Sequence, residues 1–328
     1  MANDFWHDRK VLVTGASGFI GSHVTEALVQ KGACVTASML PAPDTGALDN
    51  LRSVSSRITL AAADLSDMDS CMALCRGQDV VFSIAHADGS ASFKRDRPAF
   101  IFRQNMFITL NMLEAARQNG VQRFLVMSSA EIYSPDVHAP IDESDGFTGW
   151  PSRQSDAYAW SKRMSEFAAD VYSREHGLQV AIARPSNVYG PRDSFDLARG
   201  RVIPMFIRKA LLGRGPIEVW GSGEQMRSFL YVTDLARGLL DLVELHPTCD
   251  PVNFSGERQI SIADLASLVV RLSGRDVSVV CDPAKPVGPS NRTLSSLKSQ
   301  EVLGFVERIG LEEGLRRTID SFLQQELV

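Results

Sequence analysis

Val11-Leu-Val-Thr-Gly-Ala-Ser-Gly-Phe-Ile-Gly21 decides how this chain is read. An apolar β-rich run ends at Thr14, three glycines follow at Gly15, Gly18 and Gly21, and a helical pattern opens directly after them. A dinucleotide pyrophosphate requires that order. The first glycine permits a tight turn, the second lets backbone approach the phosphates, and the helix N-terminus offers amide donors and the positive end of its dipole. The motif follows a strand and precedes a helix, which is the context that gives a glycine triplet its meaning.

Downstream the same alternation repeats. Lys10–Thr14, Ala33–Ala37, Ile58–Ala62, Val80–Ile84, Arg123–Met127 and Gln179–Ala183 read as strands, with helices at Gly18–Lys31, Met68–Cys75, Ala99–Asn119 and Asp156–His176. Short apolar strands separated by helices predict a parallel sheet covered on both faces. The expected fold class is therefore α/β, a doubly wound parallel (Rossmann) sheet with a smaller α/β substrate-binding lobe. Residues 1–185, with returns near 228–256, are assigned to the dinucleotide-binding domain, and 186–328 mainly to the lobe. Pro41–Leu48 reads as a flexible loop, and a last helix is expected near Leu311–Gln325.

Composition narrows the function classes. The 328 residues carry a formal charge of −5 with acids and bases interspersed, which offers no basic stripe for nucleic acid and no polybasic membrane anchor. Met1 to Lys10 lacks the apolar run of a signal peptide, and no stretch approaches a membrane span. A cytoplasmic protein with no nucleic-acid or membrane partner is expected. The five cysteines show no metal-type clustering, Cys71 and Cys75 sit one helical turn apart as packing residues, and no metal is assigned.

Tyr158-Ala-Trp-Ser-Lys162 places a phenol and an ammonium on one helix face. A cation beside the phenol favours its phenolate and would bring it toward the working pH of a general base. Ser129, at the carboxyl end of the fifth strand, could hold the same substrate oxygen. Around the glycines, Ser17, Phe19, Ile20, Ser38, Leu65 and Ala85 are expected to line the cofactor. Asp64 either meets the adenine or caps the next helix. The second strand ends in Ala37-Ser38-Met39 with neither the acid that holds a ribose nor an adjacent Arg for a 2′-phosphate, so these residues leave NAD versus NADP open; NAD is the expected cofactor.

With the glycine motif, Ser129, Tyr158 and Lys162 in this order, the chain resembles the extended short-chain dehydrogenases/reductases, specifically their NAD-dependent nucleotide-sugar epimerase/dehydratase family. Asn105, Arg184-Pro-Ser-Asn-Val-Tyr-Gly-Pro191, Arg201-Val-Ile-Pro204, Trp220-Gly-Ser-Gly, Arg227-Ser-Phe-Leu-Tyr-Val-Thr-Asp234 and Leu303-Gly-Phe305 carry the resemblance over nearly the whole length. It is most similar to the branch of GDP-mannose 3,5-epimerase and GDP-fucose synthase. The resemblance implies a nucleotide-diphosphate sugar as substrate, Tyr158 as the base, Lys162 tuning it and Ser129 orienting the oxygen. It also implies that Arg227, Arg292 and Asn187 hold the diphosphate or sugar, and that Val202, Ile203, Pro204 and Trp220 wall the base.

Two residues after Ser129 the epimerases carry a cysteine and this chain carries Glu131, which matches the glutamate of 4,6-dehydratases. Glu131 has the chemistry to move a sugar C–H proton. Arg201 could bind phosphate, pair with Glu131 or be solvated. The sequence thus favours an epimerase working through a transient 4-keto sugar, with a 4,6-dehydratase or 4-keto reductase as the rival and a non-catalytic NADP-binding regulator as a remote one. The two long helices are expected to form a homodimer.

Overall fold

The computed structural model describes residues 5–41, 45–89, 91–153, 155–196, 200–213, 215–285 and 291–326. In chain order the elements begin with β1 (Lys10–Thr14), α1 (Phe19–Gln30), β2 (Cys34–Met39), β3 (Ile58–Ala62), α2 (Met68–Cys75), β4 (Val80–Ser83), α3 (Ala91–Asp96), α4 (Pro98–Gln118), β5 (Arg123–Met127), α5 (Asp156–His176) and β6 (Gln179–Pro185). There follow β7 (Asn187–Tyr189), α6 (Val202–Leu212), β8 (Ile217–Trp220), β9 (Met226–Tyr231), α7 (Val232–Leu245), β10 (Val252–Phe254), β11 (Gln259–Ser261), α8 (Ile262–Ser273), β12 (Val279–Asp282), α9 (Leu297–Leu303) and α10 (Leu311–Glu326).

Seven strands pair in the order β10-β6-β5-β4-β1-β2-β3, every pair parallel, as the alternation of apolar runs and helices predicts. The order reverses beside β1, so the carboxyl ends of β1 and β4 open the crevice where such sheets bind ligands. One face is sealed by α1 and α7 through Val24, Leu28, Leu235 and Leu239, the other by α2, α4 and α5 through Cys71, Leu113 and Ala169. Each such fully buried leucine or valine contributes about 2 kcal/mol relative to exposure. The paired cysteines of α2 act as packing groups there, and burial pushes both thiols up to about 12.

The chain leaves this sheet after β6 and returns to it: α7 packs on α1, and β10 adds a seventh strand beside β6. Between and after these lie a three-stranded sheet, β11-β9-β7, and a two-stranded one, β12-β8. They enclose a separate core of Phe206, Ile207, Val219, Phe229, Leu265, Leu315 and their neighbours.

Two elements differ from the sequence reading. Residues 42–44 of the expected Pro41–Leu48 loop lie outside the described residues, but from Thr45 to Arg57 the chain is a 3-10 helix. Its cause is spacing: Leu51 and Val54 are three apart, the repeat that eclipses side chains in that helix, and both bury against the α1 side of the sheet. The short α3, read as part of a connection, precedes α4 with only Arg97 between them.

Candidate active site

Gly15 adopts φ +65 at the carboxyl end of β1, and a Cβ there would meet the Ala85 backbone at 3.1 Å. A Cβ on Gly21 would lie 2.1 Å from the Gly15 carbonyl oxygen, so α1 is packed directly onto the turn. Around this cradle Ala16 N–H donates to the Ser38 carbonyl, Asn50 donates to the Ser17 carbonyl, and the Ala85 amide reaches Thr14 Oγ1. The N-terminus of α1 has no side-chain cap and no acid in its first turn. Uncapped amides behind a loop that tolerates no Cβ suit a pyrophosphate, so the residues present fit a dinucleotide.

The supporting positions sort differently. Ser38 is fully buried beneath the loop, and Leu65 is buried with its carbonyl taken by Asn111. Asp64 is exposed and its Oδ1 accepts from the amide and hydroxyl of Ser66. The cap of α2 is Asp67, which accepts from Ser70 N–H, so the expectation of Asp64 as the cap is corrected. An Asx turn at Asp64 precedes the helix, which starts at Met68 as the sequence pattern suggested.

The catalytic candidates converge at the carboxyl ends of β4 and β5. Tyr158 and Lys162 lie one turn apart on α5, both buried, and Lys162 Nζ donates to the Met127 carbonyl at 2.8 Å. Ser129 caps the turn that follows β5, its Oγ accepting from Glu131 N–H at 3.1 Å. Asn105 of α4 holds both sides of Ala87 and donates to Ser161, tying α4, α5 and the strand-four loop together.

Burial, then Asp88 and Glu131, push the Tyr158 phenol well above its ordinary value in the protein alone, while a hydrogen bond from Ser129 and the charge of Arg201 oppose this. The expected shift toward the phenolate involves an oxidised nicotinamide beside the phenol as well as Lys162. Burial also brings Lys162 down to about 8, with Lys94 adding to the effect and Asp88 opposing it.

Lys94 is the functional residue that sequence reasoning missed. It projects from α3 into the site, buried, with Nζ 2.6 Å from Glu131 Oε1, 2.9 Å from Asp88 Oδ1 and 4.1 Å from the centre of the Tyr158 ring. Asp88 in turn lies 3.6 Å from His86 Nε2, whose ring is 5.9 Å from that of Tyr158. Burial works against both charges, yet Lys94 and His86 hold the Asp88 carboxyl well below its ordinary value, and Glu131 and Asp88 hold the Lys94 ammonium above its own. A lysine in a short segment between β4 and α4 gives no spacing signal, and the fold alone turns it inward.

Glu131 therefore pairs with Lys94, and of the three roles left open for Arg201 the pair with Glu131 is not the one formed. Arg201 stacks over Phe19 at 5.5 Å and faces Asp193 at 4.0 Å, because it caps α6 on the far side of the glycine loop. Asp193 is buried, and its Oδ2 has no hydrogen-bond partner.

Arg292 and Arg227 come together. Arg292 Nη2 donates to the carbonyls of Ala130 and Tyr133, bracketing Glu131, and Arg227 Nη1 donates to the Met226 carbonyl. Burial, then the charge of Arg292, pull the Arg227 guanidinium down to about 10. Asn187 is exposed and donates to the Ser228 carbonyl. Ile203 and Pro204 are buried in the lobe's core and wall nothing, because α6 turns that face inward; Val202 is left at the edge of this core and Trp220 is half exposed.

The loop from Ser128 to Ser134 is held from below by a buried ionic network. Arg184 forks onto Glu166 at 2.7 and 2.9 Å, the Ser128 hydroxyl donates to Glu166, and Arg163 takes the carbonyl of Ile132. This fixes Ser129 and Glu131 against α5.

Residues 11–251 match the model of the NAD dependent epimerase/dehydratase family. Over 323 residues, 96% of this chain and 98% of the other, the sequence is 38% identical to a dTDP-4-dehydro-6-deoxy-D-allose reductase of a Streptomyces species. It is 31% identical over 96% of its length to GDP-mannose 3,5-epimerase 1 of Oryza sativa subsp. japonica, covering 82% of that protein. Among solved structures, UDP-glucose 4-epimerase of Thermotoga maritima, with UDP-glucose, superposes with a TM-score of 0.87 at 26% identity, over 97% of this chain and 99% of that one.

Proposed function

This chain belongs to the NAD dependent epimerase/dehydratase family, and we propose that within it the protein is a reductase of nucleotide-diphosphate-linked 4-keto-6-deoxy sugars. The observation that carries this reading is the pairing of Glu131 with Lys94 at 2.6 Å, beside the Tyr158 ring. A reduction needs a hydride and one proton donor, and no second acid or base on the sugar ring.

Gly15, Gly18 and Gly21, with the first turn of α1, hold the cofactor's pyrophosphate; Ser17, Phe19 and Ile20 flank it. Bound there, NAD(H) supplies the hydride for sugar C4. Tyr158 and Ser129 hold the 4-keto oxygen, and Tyr158 gives its proton to that oxygen as negative charge develops. Lys162, anchored on the Met127 carbonyl, lies beside the phenol, where its charge stabilises the phenolate left behind. Arg227 and Arg292 repel each other across a partly desolvated gap, and a diphosphate between them would relieve that repulsion. Val202 and Trp220 stand nearest for the base, with Asn187 and Arg201 at the cleft edge.

An epimerase is the second reading, supported by the placement of Glu131 two residues after Ser129 and by the 31% identity to a GDP-mannose 3,5-epimerase. The α4–α5 face exposes Phe102, Phe107, Leu110 and Phe167, and a groove of about 350 Å³ there is lined by Phe102, Trp150 and Trp160. It is the face on which the reading places a second copy.

The test incubates the protein with dTDP-, GDP- and UDP-linked 4-keto-6-deoxyhexoses and either NADH or NADPH, following loss of the reduced nicotinamide. Consumption coupled to a 4-hydroxy product supports the reading. Inversion of a sugar carbon without cofactor consumption favours the epimerase.

A further inference from the structure

A ketone at sugar C4 acidifies the C–H bonds at C3 and C5, and a carboxylate beside the ring is able to take those protons. Glu131 stands where that would happen: its amide is bonded to Ser129 Oγ, and its charge is felt at Tyr158. Left alone, it would make a reductase leak, scrambling the configuration next to the ketone before hydride arrives.

We propose that Lys94 is a specificity-determining residue that locks Glu131 and so suppresses proton exchange at C3 and C5. The inference rests on the reading of the site as one that binds a 4-keto sugar. Lys94 Nζ takes Glu131 Oε1 at 2.6 Å and is held in place by Asp88 at 2.9 Å. The ammonium is itself buried, and Asp88 is anchored in turn by His86 and by the Gly89 amide. The lysine is the buried member and Glu131 is partly exposed, so removing Glu131 or Asp88 leaves a buried ammonium short of a partner. Arg292 adds charge on the other flank of Glu131, bonded to the carbonyls of the residue before it and of Tyr133. One carboxylate oxygen is thus engaged by the Lys94 ammonium, and Arg292 closes the other side of the loop that carries it.

In the variant that lacks the lock, the step balances without any further reactant. A proton passes from C3 or C5 to the Glu131 carboxylate, and the bonding pair moves into an enolate whose oxygen is held by Ser129 and Tyr158. The proton or a solvent deuteron then returns to the same carbon.

The experiment is deuterium uptake by NMR. The holoenzyme, with oxidised cofactor so that no reduction occurs, is incubated in deuterated water with dTDP-4-keto-6-deoxy-D-glucose, and the enzyme-free rate is subtracted. Wild type is expected to show no uptake at C3 or C5 above that rate. Lys94→Met is expected to show uptake about 100-fold faster than the enzyme-free rate, the lower end of what a positioned general base contributes. Lys94→Met combined with Glu131→Gln is expected to return it to the wild-type level, and Lys94→Arg to keep the lock.

Uptake by wild type as fast as by the variant would overturn the proposal, as would a folded Lys94→Met or Lys94→Gln protein that binds the ketone without exchanging it. Melting curves and saturation-transfer signals of the bound sugar establish folding and binding for each variant. If wild type binds the ketone but fails to reduce it with NADH or NADPH, the reductase reading falls while the exchange comparison still decides the role of Lys94.

Discussion

Gly21→Ala is expected to weaken dinucleotide binding by roughly 10- to 100-fold. The added Cβ would sit 2.1 Å from the Gly15 carbonyl oxygen and 2.8 Å from its carbonyl carbon, more than 1 Å inside ordinary contact. Gly15 cannot back away, because its own Cβ position already meets Ala85 backbone at 3.1 Å. The turn must therefore peel off α1, opening the cradle whose amides face the pyrophosphate. Overpacking of this kind costs about 1–3 kcal/mol. Helix propensity favours alanine over glycine by at most about 1 kcal/mol, so the clash wins. With 1.4 kcal/mol per tenfold, that cost corresponds to about 5- to 140-fold, which brackets the stated range. The assay is a fluorescence titration with NADH, with a melting curve to separate local from global effects. A Gly21→Ala protein that binds NADH as tightly as wild type would refute the reasoning.

Other outcomes follow from the network beneath the site and from the surfaces around it. Glu166→Ala leaves the buried Arg184 guanidinium without its carboxylate and should cost about 3–5 kcal/mol in urea unfolding; a change below about 1 kcal/mol would show that water replaces the pair. His23, buried against the Pro191 carbonyl, is lowered by burial from 6.5 to about 4. Its unfolded form binds a proton first, so stability is full above about 6.5 and falls as pH drops toward 4, by about 3 kcal/mol at most. His23→Gln should flatten that limb of a pH-dependent denaturation series, and an unchanged slope would contradict it. Phe102→Glu on the exposed α4–α5 face should give a monomer by light scattering at micromolar concentration, and an intact dimer would place the interface elsewhere.

How much was legible in the sequence divides along local and nonlocal lines. The central strands and the helices between them were readable because each is an uninterrupted apolar run or a helical repeat bounded by glycine, and the parallel sheet follows from their alternation. The Gly15–Gly21 turn was readable for the same reason: its chemistry is complete within eleven residues. The shortest strands were not, since β7, β10 and β11 are three residues each and gain their identity from partners far along the chain. The site shows the same split. Tyr158 and Lys162 share one helix turn, and Ser129 ends a strand. Lys94, Asp88 and Glu131 meet only because α3 folds back over the ends of β4 and β5, and no spacing predicts that. The direction in which the phenol is pushed was equally invisible, because burial and two carboxylates from other elements outweigh Ser129 and Arg201.

Cofactor labelled with deuterium at nicotinamide C4 tests the central claim most directly. With a nucleotide-diphosphate-linked 4-keto-6-deoxyhexose and one equivalent of the reduced, labelled cofactor, the account predicts one deuterium at sugar C4 and none at C3 or C5, read by NMR of the product. A product without deuterium at C4, or a sugar inverted at another carbon with the label still on the cofactor, would contradict it.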